Sequence, residues 1–139
     1  MTFEGNGGES VPRRKRVPHY HGDEVRVLFL VAALVLIVAQ STGADLPLTT
    51  ASAVVSAALL VIAAGITNPM QSGIHWFNAL FALAGTLLFG ISAVSHYRAG
   101  LSVFDASFAS TEALALLSLL ALYFTTRTIR GIIQRASLS

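Results

Sequence analysis

Four long apolar stretches separated by short polar segments dominate the pattern along this chain. The clearest stretch is residues 74–97, IHWFNALFALAGTLLFGISAVSHY, which contains no Asp, Glu, Lys or Arg. At about 1.5 Å rise per residue, roughly 20 residues of helix cross the ~30 Å hydrocarbon layer of a membrane. Residues 25–42, 46–67 and 109–126 have a similar composition and length. The pattern therefore predicts an all-α integral membrane protein, a four-helix transmembrane bundle with short connections.

The composition of the chain agrees with this fold class. Hydrophobic residues make up 54% of the sequence and charged residues only 12%, whereas about a quarter of the residues in a soluble domain are charged. A charge at the middle of a span costs about 2.5–3.5 kcal/mol on insertion scales, and the centres of the four stretches carry none. The sequence has no cysteine, which excludes disulfides, thiolate metal sites, palmitoylation and CxxC redox chemistry.

The basic residues lie mainly on one side of the predicted membrane. Those before the first stretch are Arg13, Arg14, Lys15, Arg16 and Arg26, and those after the last are Arg127, Arg130 and Arg135. The connections on the opposite side contain only Arg98. The positive-inside rule therefore predicts that both termini lie in the cytoplasm, with the protein in the cytoplasmic (inner) membrane.

The same basic residues indicate the partners of the chain. Arg13, Arg14, Lys15 and Arg16, together with Arg127 and Arg130, are expected to contact anionic headgroups, which attract each basic residue by about 1 kcal/mol. The run at 13–16 also resembles a nuclear-localisation or twin-arginine signal. Neither signal fits here, because the predicted chain crosses the membrane several times and acidic residues lie between the run and the first apolar stretch. Because the basic residues flank membrane spans, the sequence predicts a lipid bilayer as partner and no nucleic acid.

The chain divides into three predicted segments. Residues 1–22 form a disordered basic cytoplasmic tail, residues 23–128 the transmembrane domain, and residues 129–139 a short amphipathic cytoplasmic tail. An alternative interpretation is a signal peptide, because basic residues precede a 13-residue apolar run and the small residues Thr42-Gly43-Ala44. Cleavage there would leave three spans.

Local signals predict where the helices begin. Asp45 is expected to cap the second helix, with Pro47 in its first turn, and Ser110 or Thr111 to cap the fourth, with Glu112 in the favourable first turn. Arg26 lies so close to the first apolar run that its side chain is expected to extend towards the interface.

A stripe of small and weakly polar residues runs along the third stretch. Asn78, Ala82, Thr86 and Gly90 recur at every fourth position. Ser52 and Ser56 give the second helix a comparable face, and Ser118 does so for the fourth. Because small residues allow close approach of helices in lipid, these positions are predicted to form the packing seam of the bundle. The alternative is a polar pathway between helices, centred on Asn78.

Four titratable residues, Asp45, His96, Asp105 and Glu112, are predicted to lie at the outer side. A carboxylate and an imidazole are the minimum for acid–base chemistry. A catalytic interpretation requires His96 to lie within hydrogen-bond distance of one of the three carboxylates, whereas helix starts account for Asp45 and Glu112 equally well.

The histidines also raise the question of a metal or a haem. His75 and His96 are 21 positions apart, about 31 Å along a helix, so they cannot ligate one iron within a chain. Residues 19–24, HYHGDE, combine imidazoles and carboxylates, but their spacing matches no closed metal site. No cofactor or metal is therefore expected.

These features predict a small polytopic membrane protein that acts without catalysis, as an accessory, scaffold or self-associating component, with a homo-oligomer or other membrane proteins as partners. One alternative is a small oligomeric transporter or channel, since four-span chains of this length resemble the small multidrug exporters. Those exporters rely on a carboxylate in the first span, and residues 25–39 contain none. A second alternative is an interfacial enzyme acting on lipid or quinone.

Overall fold

Residues 19–139 are described by the computed structural model, and they contain four α-helices and no β-strand. The helices are α1 (Gly22–Ser41), α2 (Thr50–Ile66), α3 (Ser72–Arg98) and α4 (Ala106–Ser137). Each helix coincides with one of the four apolar stretches, so the all-helical prediction is confirmed. Of the predicted tail at residues 1–22, residues 1–18, with the run Arg13–Arg16, lie outside the described residues, and Gly22 already belongs to α1.

Two of these helices, α3 and α4, are long and apolar enough to cross a membrane. In the most apolar 18-residue segment of each helix, only 22% is buried inside the protein. α2 is apolar too, but has 17 residues. Two such helices alone suggest a membrane bundle only weakly, because the core helix of a soluble protein passes the same test of length and composition.

The four helices are not packed equally against one another. α1 packs against α2 and α4, and α3 packs along α4, whereas α2 and α3 scarcely touch. α2 and α3 are joined by the short segment 67–71. The bundle is therefore closed on three sides and open along the fourth, between α2 and α3.

Small side chains fill the interior of the bundle. Ten of the eighteen buried hydrophobic residues in the described part of the chain are alanines: Ala32, Ala33, Ala39, Ala53, Ala57, Ala63, Ala64, Ala82, Ala93 and Ala121. Larger aliphatic residues lie on the outside, where Leu34, Leu80 and Ile91 are 64%, 67% and 70% exposed. A soluble domain buries most of its Leu and Ile side chains, whereas many of those described here are exposed.

α2 begins later than the sequence indicated. Thr49 is the N-cap residue, and its Oγ1 accepts a hydrogen bond from the Ser52 N–H at 3.3 Å. Asp45 and Pro47 lie before the helix, in the connection from α1. The predicted cap at Asp45 is therefore corrected to Thr49, because the Asp45 side chain is directed to a residue on another helix instead.

α4 begins earlier than predicted and ends later. Asp105 is the N-cap residue, and its Oδ1 accepts a hydrogen bond from the Ser107 N–H at 2.8 Å. Ser110, Thr111 and Glu112, which were expected to start the helix, lie in its second turn. The helix continues to Ser137, and Ile129 is still buried against the bundle.

Candidate functional site

The end of the bundle where α1 and α3 end, called the outer end after the sequence prediction and the opposite end the inner one, brings together a carboxylate, an imidazole and a hydroxyl. His96, near the end of α3, has Nε2 3.4 Å from Asp45 Oδ2 and Nδ1 3.3 Å from Thr111 Oγ1. The His96 side chain is 11% exposed and that of Asp45 84%, while Thr111 is fully buried. These contacts join the α1–α2 connection to α3 and α4.

Neighbouring groups fix the direction of the hydrogen bonds in this cluster. The Thr111 hydroxyl donates to the carbonyl of Ser107 at 2.8 Å or of Phe108 at 3.0 Å, so its oxygen is left to accept from His96 Nδ1. The Asp45 backbone N–H donates to Ser107 Oγ at 2.9 Å. A neutral imidazole carries one N–H, so the tautomer of His96 decides which of the two contacts it donates. The arrangement therefore acts as a tie between three elements.

The other two outer carboxylates do not join this cluster. Asp105 caps α4, and the Glu112 carboxylate forms no ion pair or hydrogen bond with any residue in 19–139. A hollow of about 550 Å³ adjoins His96 and is lined by Asp45, Pro47, Ser95 and Leu101 among others. The Asp45–His96 contact that a catalytic interpretation requires is present, but the neighbouring Thr111 hydroxyl is inaccessible.

A second polar cluster lies at the opposite, inner end of the bundle. Asn78, His75 and Thr67 are all buried, at 0%, 1% and 1% exposure. Asn78 Nδ2 donates to Thr67 Oγ1 at 2.9 Å, and the Thr67 hydroxyl donates to the Ala63 carbonyl at 2.6 Å. This contact ties the end of α2 to the start of α3. Sequence reasoning found Asn78 but missed Thr67, because a threonine at the end of an apolar helix carries no signal of its partner.

Three buried polar atoms at this end have no hydrogen-bond partner among the described residues. They are His21 Nε2, His75 Nε2 and Asn78 Oδ1. Leaving such a group unpaired costs about 1–3 kcal/mol. The cluster is therefore a place where a bound water molecule or another hydrogen-bond donor would be stabilised.

The residues just before α1 cover this cluster. The Tyr20 ring meets His75 edge-on, with ring centroids 5.9 Å apart, and lies so close to Gly22 that any side chain there would collide with it. The His21 N–H donates to Thr128 Oγ1 at 3.0 Å. Burial, with a smaller contribution from the Asp23 carboxylate, raises the pKa of the Tyr20 hydroxyl above its usual value. The hydroxyl therefore stays a hydrogen-bond donor at neutral pH.

The predicted stripe on α3 is only partly buried. Asn78 and Ala82 face the interior, whereas Thr86 and Gly90 are half-exposed. A Cβ at Gly90 would meet nothing within 4 Å, but one at Gly85 would lie 2.5 Å from Ser118 Oγ. The reason is geometric: a step of four residues advances about 40° too far around an α-helix, so three steps leave the face on which they began.

The two serines predicted on α2 differ in their surroundings. The Ser52 hydroxyl lies 2.9 Å from Thr49 Oγ1 and also donates to the Thr49 carbonyl, so it belongs to the start of the helix. Ser56 and Ser118 line a cavity of about 230 Å³ inside the bundle, where α2 and α3 separate. Its other walls include Phe29, Phe81 and Phe89, and none of its lining residues is titratable.

The arginines at the inner end have different environments. Arg26 Nε donates to the Ala64 carbonyl at 2.8 Å and its Nη2 to the Gly65 carbonyl at 3.3 Å, so it satisfies the C-terminus of α2. Arg127 Nη1 donates to the Tyr123 hydroxyl at 3.2 Å. Arg127 and Arg130 line a polar pocket of about 270 Å³.

Metal and haem sites find no support in the positions of the histidines. His75 lies in the first turn of α3 and His96 in the last, so the helix separates them. Within residues 19–139 no group of three or more His, Cys, Asp or Glu side chains converges on a common point.

Comparison of the chain with protein-family models, with curated proteins and with solved structures finds no match. The function is therefore argued from the two polar ends of the bundle, its central cavity and its surface.

Proposed function

We propose that this chain is a four-span integral membrane protein with both termini in the cytoplasm, and that it acts by association rather than by catalysis. The observation that carries the proposal is the apolar exterior. Thirty large hydrophobic residues are exposed in the described part of the chain, and they occur on all four helices.

The extent of this exterior is what favours a bilayer over water. The largest apolar patch on a typical soluble monomer covers about 300–600 Å², and removing apolar surface from water is worth about 25 cal/mol per Å². On α1, positions such as Val27, Leu34 and Val38 are exposed with no charged residue between them. In lipid the same surface carries no penalty, and helices satisfy their own backbone groups.

The distribution of charged and aromatic residues supports the orientation. Exposed aromatic side chains mark both ends of the bundle, with Trp76 and Tyr123 at the inner end and Tyr97 at the outer end. The described arginines at the inner end are Arg26, Arg127, Arg130 and Arg135, against Arg98 alone at the outer end. This asymmetry favours cytoplasmic termini.

The interior favours association over the two other candidate functions. A transporter that couples to protons needs a titratable group within the membrane, and the central cavity has none. An interfacial enzyme needs an accessible reactive group, and the hydroxyl beside His96, that of Thr111, is fully buried and donates to a backbone carbonyl. The open side between α2 and α3, with small residues such as Ala84 and Gly85, is suited to close approach by a lipid chain or a partner helix.

Thiol labelling tests the topology directly, because the parent chain has no cysteine and provides an unlabelled background. Three single variants place a thiol at exposed positions: Ser102→Cys in the α3–α4 connection, Gln71→Cys in the α2–α3 connection and Ser137→Cys at the end of α4. In intact cells a membrane-impermeant maleimide should label only the Ser102 variant. The other two should become labelled after permeabilisation.

Two results would contradict the proposal. Release of the chain into the soluble fraction by alkaline extraction would exclude integral insertion. Labelling of the Gln71 and Ser137 variants in intact cells, without that of the Ser102 variant, would reverse the orientation.

A further inference from the structure

A polar pocket of about 270 Å³ lies on the inner extension of α4. It is lined by His19, Arg127, Arg130, Gly131 and Gln134. Arg130, Gly131 and Gln134 follow Arg127 on α4 by three, four and seven positions. The four residues therefore share one face of the helix. The buried Gly131 has no side chain and leaves space between the two arginines and the glutamine.

The positive charges of this pocket are not neutralised by the residues around it. The carboxylates that form ion pairs in residues 19–139 are Glu24, Asp23 and Asp45, and their partners are His21, Arg26 and His96, respectively. Arg127 donates one hydrogen bond, to the uncharged Tyr123 hydroxyl, and its guanidinium lies 5.7 Å from the centre of the Tyr123 ring. Most of its donors and those of Arg130 therefore have no partner among residues 19–139 and can bind an anion.

We propose that this pocket binds a phosphate group. Arginine presents a planar fork of donors that matches phosphate oxygens bidentately. Gln134 adds an amide donor and His19 an imidazole. No carboxylate lines the pocket within the described chain, so nothing there repels the bound anion.

The phosphate has two possible sources, a lipid headgroup or a soluble phosphate compound. The exposed Tyr123 is placed at headgroup level by the proposed topology, and Arg127 lies about 6 Å and Gln134 about 16 Å beyond it along the helix. The lipid source thus rests on the proposed membrane insertion. A soluble phosphate requires only the pocket itself.

Two binding measurements on the full chain separate these sources. Titration with inorganic phosphate in detergent micelles, followed by calorimetry, reports a soluble ligand. Retention of phosphatidic acid against phosphatidylcholine from mixed nanodiscs, followed by native mass spectrometry, reports a lipid ligand. Binding in either measurement supports the proposal, and absence of binding in both overturns it.

Matched variants distinguish a built pocket from general positive charge. The double variant Arg127→Gln/Arg130→Gln should weaken binding at least about tenfold, since two charge-assisted contacts are lost. Arg135→Gln removes a charge from the same helix outside the pocket and should change affinity less than about twofold. An equal loss in both variants would overturn the proposal. Thiol labelling of the same substitutions in the Ser102→Cys background shows separately whether these proteins are inserted, so a failure of insertion is not mistaken for a failure of the site.

Discussion

Asn78 joins two helices through one side-chain hydrogen bond in an interior made largely of alanine. Its Nδ2 donates to Thr67 Oγ1, and both residues are inaccessible to solvent. Hydrogen bonds of this kind in membrane proteins contribute about 0.6 kcal/mol on average and up to about 1.7 kcal/mol. The contact joins α2 and α3, which otherwise scarcely touch, so its loss is not compensated by neighbouring packing.

Removing the acceptor tests this contribution. We expect Thr67→Val to lower the free energy of unfolding by about 1–2 kcal/mol, because the Asn78 amide becomes a further unpaired buried group. Thr86→Val is the matched control, since its hydroxyl donates only within α3, to the Ala82 carbonyl at 2.8 Å. The measurement is reversible unfolding in detergent, combined with Asn78→Leu in a double-mutant cycle. Equal effects of the two threonine variants would contradict a specific role for the α2–α3 contact.

The number and position of the helices could be predicted from the sequence, whereas their ends and mutual contacts could not. Apolar length alone identified four helices. Thr49 and Asp105 replaced Asp45 and Ser110 as caps because Asp, Ser and Thr are common in every connection, and three-dimensional contacts decide which of them caps. The sequence indicated only that a catalytic interpretation would require His96 to contact one of three carboxylates. It could not show that Asp45 is the partner, since 51 residues separate the two.

The packing face of α3 gives a sharp prediction at the level of this helix. Gly85→Leu should lower the melting temperature or dissociate α3 from α4, because even a Cβ at this position lies 2.5 Å from Ser118 Oγ. Gly90→Leu should leave the melting temperature unchanged or raise it, since the space there is open and leucine favours helix over glycine. Thermal unfolding in detergent compares the two. A larger decrease in melting temperature for Gly90→Leu than for Gly85→Leu would instead support the predicted packing seam, in which Gly90 follows Asn78, Ala82 and Thr86.

The bundle as a whole is tied at both ends and open in the middle. The inner tie is Asn78 with Thr67, and the outer tie is His96 with Asp45 and Thr111. Between them the central cavity of about 230 Å³ lies where α2 and α3 separate. This volume exceeds the roughly 150 Å³ of an apolar engineered cavity that takes up benzene. A bilayer would therefore supply a natural occupant, the acyl chain of a lipid.

Filling the cavity should exclude that chain. A phospholipid with a photoactivatable group in its acyl chain should label the cavity residues of the parent protein in liposomes, including the segments that carry Ser56 and Ser118. Ala84→Phe places a large ring at the cavity wall and should reduce this labelling at least about threefold, because a buried aromatic ring occupies the space that the chain needs. Ala58→Phe puts the same ring on an exposed position of α2 that does not line the cavity, and should leave the labelling unchanged. Absence of labelling at Ser56 and Ser118 in the parent protein, measured by mass spectrometry of peptides, would show that lipid does not enter between α2 and α3. Labelling that Ala84→Phe leaves unchanged would show that the labelled lipid does not occupy the cavity.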